Sequence, residues 1–193
     1  MKKILILIIL FLTGCTKYND LAELTIIKSI GISYDSSYHV SAQIIDYIDD
    51  NNEAHMKVIK EKGQTLEKSF NNLQNLINQN IFFSHIDLLV LDNHLLDNNY
   101  NNIIQFFLNN NNFRNDFYCI FSPDVDKLLE KSQYDEIEIF IKSKKNIKIA
   151  TKNLNEVISE YFDNEKIVLP NISYNNKISY LGNYEYNKGE NNA

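Results

Sequence analysis

The chain has 193 residues, 44% of them apolar, and a formal net charge of −6 at pH 7, with only five glycines and two prolines. The length fits one compact domain, and the few glycines and prolines exclude collagen-like and proline-rich linker material. A chain with this negative charge has no broad electrostatic attraction to nucleic acid or to anionic lipid headgroups. Attachment to a membrane would therefore require something other than electrostatic attraction.

The first fifteen residues have the order of a bacterial export signal. Lys2 and Lys3 precede an unbroken apolar run over residues 4–12. Nine residues rise only ~14 Å as a helix, whereas the hydrocarbon core of a bilayer is ~30 Å thick. The run therefore predicts a signal peptide, over residues 1–14, and not a membrane-spanning helix.

The residues around the predicted cleavage site form a lipobox. We predict that Leu12, Thr13 and Gly14 are recognised by the signal peptidase and that Cys15 becomes the first residue of the mature chain. The Cys15 thiol would then carry diacylglycerol through a thioether, and two acyl chains hold a protein where one is marginal. The lipidated tether is predicted over residues 15–23. The alternative is that the apolar run before it is a buried core strand or helix that happens to end in a cysteine.

The next segment predicts an α/β domain over residues 24–170, with a mixed β-sheet packed by helices. Residues 24–33 and 38–47 are rich in isoleucine, valine and tyrosine and predict a hairpin, to which 55–60 adds a third strand. Helical spacing of apolar residues follows over 66–77, with Thr65 as the N-cap. Residues 82–91 predict one strand, which would complete a parallel crossover.

Helices and strands then alternate towards the C-terminus. Helices are predicted over 103–108, 137–141 and 154–162, and a strand over 117–121. Another helix is predicted to begin at Ser122-Pro123-Asp124, with the serine as its cap and the proline in its first position.

The predicted domain ends where Leu169-Pro170 is expected to interrupt any regular element. Short strands are predicted over 172–174 and 178–186. We interpret residues 171–193 as a linker or as the truncated start of a second domain.

No catalytic or metal-binding pattern is present in the sequence. The four histidines lack metal-ligand spacing, and His85 is expected to be a structural residue within an apolar strand. Cys119 lies in an apolar run and is predicted to pack in the core. We therefore predict a protein that is not an enzyme and needs no cofactor or metal. The acidic cluster, which we expect to be a solvated turn and not a calcium site, consists of Asp46, Asp49, Asp50 and Glu53.

A series of short motifs after Cys15 resembles the Ger(x)C spore germination lipoproteins. The resemblance covers most of residues 15–182 and rests on Asp20-Leu21-Ala22-Glu23-Leu24, Ser29-Ile30-Gly31-Ile32-Ser33, Tyr38-His39-Val40-Ser41-Ala42-Gln43-Ile44, Gly63-Gln64-Thr65-Leu66, Phe82-Phe83-Ser84-His85-Ile86, Leu89-Val90-Leu91, Phe106-Phe107-Leu108, Arg114-Asn115-Asp116, Leu128-Leu129-Glu130 and Leu169-Pro170. The family typically has an acidic residue in place of Ser33, and its members usually carry two further domains.

The resemblance implies the N-terminal domain of a germinant receptor C subunit. Such a subunit is a non-enzymatic lipoprotein on the outer face of the cytoplasmic membrane, in the spore inner membrane, and it assembles with integral membrane subunits. The family's lipidated cysteine corresponds to Cys15. Two other functions stay open from the residues: a solute-binding lipoprotein working with a transporter, and an exported hydrolase using His85.

Overall fold

The sheet and its helices are seen in a computed structural model that describes residues 24–51, 54–77, 80–95, 97–143, 149–163 and 166–189. The strands are β1 (Leu24–Tyr34), β2 (Tyr38–Ile48), β3 (Ala54–Gly63), β4 (Asn80–Phe82), β5 (Leu88–Asp92), β6 (Tyr118–Ser122), β7 (Lys152–Asn153), β8 (Lys166–Tyr174) and β9 (Ile178–Asn187). The helices are α1 (Leu66–Ile77), α2 (Asp97–Asn109), α3 (Val125–Lys131), α4 (Tyr134–Ser143) and α5 (Leu154–Asp163).

The strands form one mixed sheet, which confirms the predicted α/β class. Its order is β3-β2-β1-β5-β6-β8-β9, while β4 pairs with β1 and β7 pairs with β6. The pairs β1–β2, β2–β3 and β8–β9 are antiparallel, and the central pairs β1–β5, β5–β6 and β6–β8 are parallel. The predicted crossover is confirmed, because α1 carries the chain from β3 past β2 and β1 to the parallel strand β5.

Helices cover both faces of the sheet. Alternate residues of β5 point to opposite sides: Leu89 and Leu91 join the core beneath α1, α2 and α5, whereas Leu88 and Val90 join a smaller core beneath α3 and α4. Strands buried on both faces are expected where helical crossovers connect parallel strands.

The strand predicted over 82–91 is instead two strands separated by a turn. β4 pairs with Leu24–Ile26 of β1, whereas β5 pairs with Ser29–Ile32, and the 3-10 turn Phe83–His85 lies between them. Phe83 contacts the rings of Phe70 and Phe113, which draws the chain towards the core at this point. His85 is exposed in the turn, so its predicted position within an apolar strand is wrong.

The start of α3 also differs from the prediction. Asp124, and not Ser122, is the N-cap, because its carboxylate accepts a 3.1 Å hydrogen bond from the backbone N–H of Lys127. The Ser122 hydroxyl accepts from the Asp124 N–H at 3.2 Å. The helix begins at Val125, which places Pro123 outside its first position. The N-cap predicted at Thr65 is confirmed by a 3.2 Å hydrogen bond from the Lys68 N–H.

The interruption predicted at Leu169-Pro170 is wrong, since β8 runs through both residues. β8 pairs with β9 from Lys166↔Asn187 to Tyr174↔Ile178, but it pairs with β6 only at Phe121↔Asn171. A proline has no N–H to donate, and it is tolerated where the ladder on one side of a strand is this short. The boundary predicted at residue 170 therefore lies inside β8, and the sheet continues through β9.

Candidate functional site

The predicted lipidation site lies outside the described residues. It comprises Leu12, Thr13, Gly14 and Cys15, so lipid attachment there stays a prediction. The described chain begins at Leu24, which is the first residue of β1. Within the described ranges, each helix is too short or too polar to cross a bilayer.

An apolar pocket of about 280 Å³ lies between α4 and the sheet. Leu88 of β5 and Ile120 of β6 contribute from the sheet, and Ile137 and Ile141 contribute from α4. Pro170 of β8 closes another side. The pocket therefore offers an apolar surface on which a small hydrophobic group could pack.

Three polar side chains of α4 line the same pocket. Lys142 Nζ lies 2.7 Å from Glu138 Oε1, and this hydrogen bond lowers the pKa of Glu138 and raises the pKa of Lys142. Burial is the main cause that raises the pKa of the Tyr134 phenol. All three shifts move away from neutral pH, so none of these groups is adjusted for general acid–base catalysis near pH 7.

Buried polar residues on the hairpin β1–β2 hold helix α3. Ser29 Oγ donates to Gln43 Oε1 at 3.2 Å, and Gln43 Nε2 donates to the carbonyl oxygens of Leu129 at 3.0 Å and Ser132 at 2.8 Å. Nearby, Ser41 Oγ donates to Asp126 at 2.5 Å. A buried amide satisfied in this way fixes the position of α3, so the cluster is structural.

The histidines are distributed over the described surface and do not converge. His39, His55 and His94 lie within 3.3 Å of Asp35, Asp49 and Asp92 respectively. Among the residues that the structure describes, no group of three or more histidine, cysteine, aspartate or glutamate side chains could hold a metal ion.

The acidic turn is described only in part. Asp49 accepts a hydrogen bond from the Asn51 N–H and contacts His55, while Asp46 and Asp50 are exposed and Glu53 lies outside the described residues. This arrangement fits the predicted solvated turn.

The predicted packing role of Cys119 is confirmed. Its side chain is buried in β6, and burial raises the pKa of its thiol. A raised pKa disfavours the thiolate, which is the nucleophilic form, so Cys119 is not activated for catalysis.

The comparisons with known proteins decide the family. The model of a family described as the spore germination protein N-terminal domain matches residues 17–174. The chain belongs to this family. The match confirms the resemblance drawn from the motifs, and it ends at Tyr174, the last residue of β8. No curated protein and no solved structure matches the chain.

The spore germination domain thus contains an internal polar support for α3 and an apolar pocket under α4. Sequence reasoning missed both. The pocket residues Tyr134, Glu138 and Lys142 recur every four residues, which is a detectable signal for one helix face. Ser41 and Gln43 are two residues apart in β2 and therefore lie on one face of the strand, a pattern that could have indicated polar contacts on that face.

Proposed function

We propose that this chain is a lipid-anchored, non-enzymatic subunit of a spore germinant receptor. It is attached through Cys15 to the outer face of the cytoplasmic membrane, the inner membrane of the spore, and it assembles there with integral membrane subunits. The observation that carries the proposal is the position of the family match, which begins two residues after the lipobox cysteine. A spore germination domain therefore directly follows a sequence typical of a lipid attachment site.

Two observations support a non-enzymatic role. The Cys119 thiol is buried with a raised pKa, and the ionisable groups at the α4 pocket have pKa values shifted away from neutral. A subunit that only positions its partners needs no reacting groups of its own, since function depends on the site and not on the fold.

Gene deletion with complementation tests the receptor role. We expect spores that lack the gene to lose their response to nutrients, and the unsubstituted gene to restore it. Cys15→Ala should abolish acyl labelling and fail to restore germination, since the thioether cannot form. Cys119→Ala is the matched control and should keep its acyl label. A normal nutrient response in spores lacking the gene would contradict the proposal.

A second candidate is a solute-binding lipoprotein that works with a transporter. The apolar pocket under α4 favours it, because a pocket of this kind can take a small hydrophobic solute. It predicts saturable binding of such a solute to the full chain, weakened by Ile141→Arg, together with loss of solute uptake and normal germination when the gene is deleted.

A further inference from the structure

The start of β1 defines one end of the molecule, which we call the tether end. It comprises the start of β1, the end of β2, the start of β4 and the last turn of α1. Ile27 pairs with Ile44, so the last residues of β2 lie beside the first residues of β1. On its other side, Leu24 pairs with Asn80, three residues after the end of α1. The end of α1 therefore lies close to the place where the described chain begins.

Exposed apolar side chains surround this end. Tyr47 and Ile48 at the end of β2 are 55% and 61% exposed, and Leu76 in the last turn of α1 is 54% exposed. The Tyr47 ring stacks on His55 of β3 with centroids 4.2 Å apart, which holds the aromatic ring in place. Tyr47 and Ile48 are successive residues of β2 and lie on opposite faces of the sheet, so a partner that contacts both must cover the end of the strand.

The charge at the tether end is mainly negative. Asp46 and Asp50 are exposed beside Tyr47 and Ile48, and the exposed lysine on the neighbouring strand β3 is Lys57, which pairs with Ile44. Helix α1 has no basic residue in its last turn, so the partial negative charge of its C-terminus is not offset there. An anionic bilayer surface would repel such an end, whereas a basic protein surface would attract it.

We propose that the tether end docks onto the extracytoplasmic surface of a membrane-embedded protein whose contact region is apolar and basic. This inference rests on the proposed lipid anchor. Eight residues, 16–23, separate Cys15 from Leu24, so the extended tether spans at most about 30 Å. The tether end is the part of the domain that such an anchor keeps nearest to the membrane, where Tyr47, Ile48 and Leu76 can bury their exposed surface against the partner.

Photocrosslinking of the full chain in sporulating cells tests this surface. The amino acid p-benzoylphenylalanine replaces Ile48 and, in separate strains, the controls Ile139 and Leu181, which are exposed by 66% and 56% on other parts of the domain. We expect an adduct from position 48 with a membrane-spanning protein, mapped by mass spectrometry to an extracytoplasmic segment that contains lysine or arginine. Positions 139 and 181 should give little of this adduct.

Charge reversal completes the experiment. Asp46→Lys with Asp50→Lys should lower the yield of the position-48 adduct about tenfold, because the new lysines would face a basic partner surface, and Asp135→Lys on α4 should leave it unchanged. A lipid-only adduct, equal yields from all three positions, or no effect of charge reversal would overturn the docking surface. The acyl label keeps the two proposals separate: an acylated chain without the adduct contradicts only the docking surface, whereas an unacylated wild-type chain contradicts the anchor.

Discussion

Gly31 allows helix α3 to approach the sheet closely. A Cβ added at Gly31 would lie 2.8 Å from Leu129 Cδ1 and still nearer to Val125 Cγ1. Both side chains belong to α3, whose position the Gln43 amide also fixes. The absence of a side chain at residue 31 is therefore a packing requirement of the α3 contact.

We predict that Gly31→Ala lowers the free energy of unfolding by about 1–3 kcal/mol, because overpacking forces α3 away from the sheet. The urea midpoint of the purified chain measures this change. Ser33→Ala, two residues along the same strand and on the same face, is the control and should change stability by less than about 0.5 kcal/mol. Equal midpoints for the two variants would contradict the close packing of α3.

Cys119 gives a prediction for thiol accessibility. The side chain is buried and the pKa of its thiol is raised, so the native protein should not react with a disulfide reagent at pH 8. After denaturation, the acylated chain should show one reactive thiol, since Cys15 would be blocked by its thioether. Two reactive thiols would contradict acylation, and reaction in the native state would contradict the burial of Cys119.

The burial of Cys119 also makes the free energy of unfolding depend on pH in the alkaline range. The folded pKa of Cys119 lies above that of the unfolded thiol, about 8.5, so this contribution to stability is complete below that pH and is lost as pH rises above it. We expect the unfolding free energy to fall more steeply between pH 8 and pH 10 in the unsubstituted protein than in Cys119→Ala. Parallel pH profiles for the two proteins would contradict this prediction.

The hairpin β8–β9 is an integral element of the domain. Tyr186 of β9 is buried and stacks on Tyr100 of α2 with ring centroids 4.3 Å apart, and Tyr184 contacts Phe121 of β6. These contacts tie the C-terminal strand to the main core, which explains why the sheet extends beyond Pro170.

We predict that Tyr186→Ala destabilises the protein by about 3–5 kcal/mol, because it removes a large buried ring from the core. Tyr180→Ala is the control on the same strand, where the tyrosine is only half-buried, and it should cost less than about 1 kcal/mol. Thermal or urea unfolding compares the two. A similar cost for both would show that β9 is not anchored through Tyr186.

Most elements could be predicted from local pattern, and the exceptions depend on distant residues. The helix over 66–77 and the first hairpin follow from periodicity and turn residues alone. By contrast, the division between β4 and β5 depends on where each pairs with β1 and on the contacts of Phe83. The path of β8 through Pro170 depends on how short its pairing with β6 is.

The candidate pocket could not be predicted because it also depends on residues that are distant in the sequence. Its apolar residues come from β5, β6, β8 and α4, which the chain brings together only in the folded sheet. The sequence did place the motifs of the spore germination family in order, since those motifs are local.

In the whole molecule, one modified residue would join an acidic α/β domain to the membrane. The acidic charge does not favour anionic lipid, whereas the two acyl chains expected at Cys15 would hold the domain at the bilayer. The end of the domain at which β1 begins would then be the end that meets the embedded partners.

Mass spectrometry of the N-terminal peptide, from protein extracted from spore membranes, tests the lipid anchor at Cys15. We predict a peptide that begins at Cys15 and carries the mass of a thioether-linked diacylglycerol, with or without a third acyl group on its amine. A mature chain that begins at another residue, or that carries an unmodified Cys15, would contradict it.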